Sequence, residues 1–152
     1  MKFRILLSTL VFAASTAHAA DTSEPAPRAG DPLAAARTQI QAKRWADAAA
    51  ELKKVNASSS ADWNNLMGYT ARKMAPPDLD AAQRHYDTAL RIDPRHRGAL
   101  EYSGELALMK GNLGVAEERL AALSRACSSC EELDDLKKAV NKFKTNGNRY
   151  VP

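Results

Sequence analysis

Ala48, Ala82 and Ala116 stand 34 residues apart in a chain of 152. Three more columns keep that step: Trp45, Leu79 and Leu113; Leu52, Tyr86 and Leu120; Val55, Ala89 and Leu123. A fixed period across four columns implies three copies of one structural unit, each burying its apolar face against the next. Within a copy the spacing is i, i+3, i+7, i+10, so Trp45, Ala48, Leu52 and Val55 share one face of a helix. An alanine where two helices cross lets their backbones approach, and the large neighbour fills the space beside it.

Each of these helices is preceded by another. In the middle copy it spans Ala61 to Met74 and carries Leu66, Met67, Gly68 and Ala71. In the third it runs from about His96 to Lys110, with Leu100, Gly104, Ala107 and Leu108; in the first it is the Ala-rich stretch Leu33 to Ala42, with Ile40. Glycine inside a helix costs ~1 kcal/mol against alanine, so Gly68 and Gly104 predict close packing of helix on helix. Gly111-Asn112, Asp93-Pro94 and Pro76-Pro77-Asp78 supply the turns, with Asn112 and Asp78 as N-caps.

The pattern resembles the tetratricopeptide repeat, a helix-turn-helix of 34 residues. The middle copy carries the motif at Leu66/Met67, Gly68, Ala71, Ala82, Tyr86, Ala89 and Pro94, and the third at Leu100, Gly104, Gly111, Ala116, Leu120 and Leu123. The first copy matches in its second helix only. Gly68 to Gly104 is 36 residues, so the middle hairpin loop is expected two residues longer, with a correspondingly short linker between copies one and two. The run Arg97 to Leu106, followed by Cys-x-x-Cys-Glu-Glu, is also similar to small exported bacterial proteins built from such repeats. The resemblance implies an all-α superhelical stack of three hairpins, about 33–60, 61–94 and 95–126, closed by a capping helix within 127–144.

That capping helix is expected from Glu131 to Lys144, because Leu133, Leu136, Val140 and Phe143 form one stripe that covers the last repeat. Ser129 and Glu132 have capping-box spacing at its start. At the other end, Lys2 and Arg4 precede the apolar run Ile5 to Ala14 and an Ala17-His18-Ala19 site, which reads as a signal peptide over 1–19. A retained anchor is the alternative, but the run is short for a membrane span. Residues 20–32 read as a disordered leader and 145–152 as a frayed tail. With Lys2 and Arg4 removed, 20 basic residues face 18 acidic ones, a net charge of +2. Neither a basic stripe nor aromatic-basic interleaving points to nucleic acid.

Cys127 and Cys130 are the only thiols, and an oxidising periplasm would join them as a staple between the last repeat and the capping helix. A Cys-x-x-Cys redox site is the sharper alternative. Against it, Glu131 and Glu132 would raise a thiolate's pKa, and strand-helix alternation is missing. Haem attachment would need His at Glu131, and zinc would need two further ligands. His85 and His96 lack a nucleophile or carboxylate at motif spacing and read as surface residues. Gly111 to Gly114 is a hairpin turn rather than a phosphate loop. These readings point away from an enzyme and imply no cofactor.

The resemblance also implies a concave groove lined by the first helix of each hairpin. Carried over by motif position, its residues are Asp62, Asn65, Tyr69, Arg72 and Lys73 in the middle copy. The third copy contributes Glu101, Glu105, Leu108 and Met109, and the first Leu33, Arg37, Ile40 and Gln41. Asn65 can donate to and accept from a peptide backbone, Tyr69 offers an apolar face, and Arg72 with Lys73 can receive a carboxylate. The set reads as positive at the middle and negative toward the C-terminal end. The expected function is a periplasmic interaction module holding a peptide or protein partner of the cell envelope. A thiol oxidoreductase and a self-associating protomer stand as alternatives.

Overall fold

The computed structural model describes residues 30–150, so the signal segment, most of the expected leader and the last two residues lie outside it. Among the described residues there are seven helices and no strand: α1 (Ala34–Gln41), α2 (Trp45–Val55), α3 (Ala61–Lys73), α4 (Leu79–Ile92), α5 (Arg97–Met109), α6 (Leu113–Ala126) and α7 (Glu131–Thr145). Helices α2, α4 and α6 begin on the 34-residue column Trp45, Leu79, Leu113. They pair with α1, α3 and α5 respectively, and α7 packs on α5 and α6.

The side chains at the helix starts explain where the elements begin. Ser60 accepts from the Trp63 N–H at 3.2 Å, Asp78 from Ala81 at 2.8 Å and Asn112 from Val115 at 3.2 Å. Each satisfies a backbone donor that the first helical turn leaves open. His96 does the same for α5, its Nδ1 accepting from Ala99. Helix α7 departs from expectation. Its N-cap is Cys130, without a side-chain cap, so the Ser129–Glu132 capping box does not form. Glu131, Glu132 and Asp134 in its first turn complement the helix dipole instead.

The middle hairpin does carry the longer loop, 74–78 against 110–112. The compensation does not lie in the linker between copies one and two, since 56–60 is no shorter than 93–96. It lies in α2, which has 11 residues where α4 and α6 have 14. Asn56 ends α2 in the left-handed region at φ 47°, and the Leu52 carbonyl then accepts from both the Asn56 N–H and the buried Trp63 indole at 2.7 Å. That indole ties the first hairpin to the second.

The repeat alanines Ala48, Ala82 and Ala116 are completely buried. One apolar cluster joins α1 to α4 and takes in Tyr102 and Leu106 of α5; a second joins Leu100, Ala107 and Leu108 of α5 to α6 and α7. Helix α5 therefore belongs to both cores. The two helical glycines sit where neighbours press in. A Cβ on Gly68 would lie 2.6 Å from the Tyr86 ring, and one on Gly104 would lie 2.7 Å from Leu136 of α7.

His85 is half-buried rather than a surface residue. Its ring meets Trp63 edge-on at 5.7 Å, and Nδ1 lies 3.2 Å from the Asn64 side-chain oxygen. Burial, then the charge of Arg84, lowers its pKa.

Two predictions follow from the packing. Gly68→Ala and Gly104→Ala gain up to ~1 kcal/mol of helix propensity but lose about 1–3 kcal/mol to overpacking, so each should lower the urea midpoint. An unchanged or raised midpoint would contradict the close approach. For His85, the unfolded chain binds the proton more readily than the folded one, so this group's contribution is intact above the unfolded pKa and lost as pH falls below it. Stability should fall as the pH drops through the unfolded value of about 6.5, and His85→Gln should make that fall smaller.

Candidate binding site

The first helices of the hairpins and the start of α7 line an open cavity of about 550 Å³. Helix α1 contributes Arg37, α3 contributes Asp62 and Asn65, α5 contributes Arg97, Gly98, Glu101 and Tyr102, and α7 contributes Glu131 and Glu132. Asp93, Arg95 and His96 line it from the linker before α5. Five carboxylates therefore face three guanidiniums.

Most of the guanidinium charge is already engaged. Arg37 donates to Asp31 at 3.1 Å and lies 3.9 Å from Asp62; Arg97 lies 3.4 Å from Glu132. Arg95 reaches the carbonyls of Arg125 and Ala126 at the end of α6. Asp31 also accepts from the Leu33 N–H at 2.9 Å, so the last residues of the expected leader are part of the fold. His96 is not a plain surface residue either: its Nε2 lies 2.9 Å from the Asp62 carboxylate. With Nδ1 accepting from Ala99, the Nε2–H tautomer serves both contacts.

Asn65 differs from these neighbours. It is 2% exposed, and its Oδ1 is buried without a hydrogen-bond partner. A buried polar atom left unsatisfied costs roughly 1–3 kcal/mol, so such atoms in a cavity wall mark places where a ligand can bond. Gly98 faces this amide, and a Cβ there would come within 3.0 Å of Nδ2.

Farther along the same helices, Arg72 of α3 pairs with Glu105 of α5 at 2.6 Å. The guanidinium lies 5.6 Å from the Tyr69 ring centre and 5.4 Å from that of Tyr102, and Lys73 Nζ lies 5.5 Å from Tyr69. Burial alone would lower the Arg72 pKa, but the phenol of Tyr86 and the Glu105 carboxylate outweigh it and hold the group charged.

This arrangement revises the expected groove. Tyr69, Arg72 and Glu101 are buried rather than exposed. Arg72 and Glu105 neutralise each other across α3 and α5, so the face is not positive at its middle and negative beyond. Leu33, Ile40 and Leu108 are core residues, Met109 is half-buried on the first core, and Gln41 is exposed away from the cavity lining. Arg97, Gly98, His96 and Glu132 were missed as site residues. The signal for His96 was the period itself, because Asp62 and His96 are 34 residues apart and so occupy matching places in neighbouring repeats.

Cys127 and Cys130, between α6 and α7, have their sulfurs at bonding distance and their Cα atoms 6.1 Å apart, and Cys127 lines the cavity. Among the described residues no cluster of His, Cys, Asp or Glu is placed to hold a metal, and no helix is long and apolar enough to cross a membrane. Compared with protein-family profiles, curated proteins and solved structures, the chain matches none of them.

Removing one member of a buried ion pair strands the other. Glu105→Ala should therefore destabilise the protein by about 3 kcal/mol, while an Arg72→Met/Glu105→Leu double variant should recover most of that loss. Equal denaturation midpoints for Glu105→Ala and the wild type would show that the pair does not hold α3 to α5.

Proposed function

We propose that the chain is a tetratricopeptide-like interaction module of the periplasm, holding an extended segment of another envelope protein against α1, α3, α5 and α7. The observation that carries this reading is the buried Asn65 amide, which lacks a partner for Oδ1 at the wall of a polar cavity. A peptide bond presents one donor and one acceptor, which is the complement of a carboxamide. Arg97 and Glu132 stand at the rim, where a passing segment would exchange contacts with them. The 34-residue step and the pairing of α1 with α2, α3 with α4 and α5 with α6 support a repeat stack.

The cysteine pair fits the role of a staple. The extended Cys130 cap and three acidic residues in the first turn of α7 disfavour a thiolate there, so the redox reading has less support.

Because Tyr69 and Arg72 do not line the cavity, the test uses Asn65→Ala and Arg97→Glu, which do. Crosslinking of the exported protein in cells, followed by purification, should enrich one envelope protein with the wild type. Asn65→Ala should weaken capture by up to about tenfold, the worth of one hydrogen bond, with its circular dichroism unchanged. Full capture by both variants would remove this cavity as the site. For the staple, Cys127→Ser/Cys130→Ser should lower stability by about 2 kcal/mol and leave partner capture intact. Loss of capture with unchanged stability would favour the redox reading.

A further inference from the structure

Helix α5 carries two glycines, and the core explains only one of them. Leu136 presses into the space that Gly104 leaves, but Gly98, in the first turn, is met by a polar group. The three atoms nearest to a Cβ built there belong to the Asn65 carboxamide of α3: Nδ2 at 3.0 Å, with Cγ and Oδ1 at 3.7 Å. The two residues are 33 positions apart, as Arg72 and Glu105 are, so the contact joins the first helices of neighbouring repeats. Both residues line the cavity. Two unfavourable features therefore stand side by side in one wall. Glycine gives up helix propensity that alanine would supply. Asn65, 2% exposed, keeps a buried Oδ1 without a hydrogen-bond partner. At Gly68 and Gly104 the lost propensity is offset by a fully buried Tyr86 or Leu136. At Gly98 the neighbour is an unsatisfied amide, and a local cost without a return in packing marks a functional position.

We propose that Gly98 is a positioning residue of the binding site: its missing side chain lets the Asn65 carboxamide rest against α5 in the orientation that receives a peptide group of the partner. This rests on the interaction-module reading above. A carboxamide is directional, because the oxygen accepts and the nitrogen donates along fixed lines. A methyl at position 98 would press on Nδ2 by a few tenths of an ångström. The softest response is rotation of the amide about its terminal torsion, which has a broad potential. That rotation moves both bonding directions and leaves the helices where they are. A side chain at 98 therefore costs the site its bond and leaves the core intact. One helix thus uses glycine in two ways, Gly104 for packing and Gly98 for binding.

The experiment uses the full chain labelled with nitrogen-15, and a blocked trialanine peptide, acetylated and methylamidated, as the probe. The Asn65 side-chain amide resonances are identified by their loss in Asn65→Ala. In Gly98→Ala the urea midpoint should equal or exceed that of the wild type, whereas Gly104→Ala lowers it. The Asn65 amide resonances should nevertheless move, and the probe should bind up to about tenfold more weakly, the worth of one hydrogen bond. In an Asn65→Ala background, Gly98→Ala should cause no further loss, because the glycine acts through the amide. A lowered midpoint makes Gly98 a packing residue and overturns the proposal. So do unmoved Asn65 resonances, undiminished probe binding, or losses that simply add in the double variant. If the probe leaves the Asn65 resonances of the wild type unmoved, the peptide-binding reading fails and takes this proposal with it. The Gly98→Ala outcomes leave that reading standing, so the two failures are told apart.

Discussion

The fold depends on what fills the space above two glycines. Where Gly68 lacks a side chain, the Tyr86 ring presses against α3, and where Gly104 lacks one, Leu136 presses against α5. Packing density in a helical protein leaves no room for both a Cβ and its neighbour at such distances. Each glycine thus gives up helix propensity for a closer approach, and the large side chain opposite it buries fully.

The two contacts are not equivalent, and the difference explains the end of the stack. In the middle hairpin the gap is filled from within, by Tyr86 of the paired helix α4. In the third it is filled by α7, and Leu120, which occupies the Tyr86 column, is only half-buried. The last helix is therefore not a lid laid over a finished repeat. It enters the position that the repeat's own second helix fills elsewhere, which places α5 at the centre of the molecule and in both apolar clusters.

The polar face follows from the same stacking. First helices lie side by side, so side chains about one repeat apart in sequence meet in space. Asp62 with His96 and Arg72 with Glu105 are such pairs, 34 and 33 residues apart. They join neighbouring repeats where apolar packing ends, and they consume charges that would otherwise be offered to a ligand. Beside these pairs, the buried Asn65 Oδ1 at the cavity wall has no hydrogen-bond partner. Under the proposed function, such a face suits an uncharged backbone better than one sign of charge.

The helices, their pairing and their starts were legible in the chain, because they depend on local rules: apolar period, caps at Asp78 and Asn112, and glycine at the crossings. Residue types at repeat positions also marked Asn65, Arg72 and Glu105 as facing one side. Burial and pairing were not legible. Whether Arg72 meets solvent or Glu105 depends on the distance between α3 and α5, which the whole stack determines. The loss of the Ser129 cap and the length of α2 depend on backbone geometry at Cys130 and Asn56. Tyr150 shows the limit most plainly: the polar run before it carries no periodicity, and only the turn at Gly147 and Asn148, against a finished core, packs its ring on the second apolar cluster. Local propensity determined the elements, and the long-range packing of one helix on another decided which of their polar groups remain available to bind.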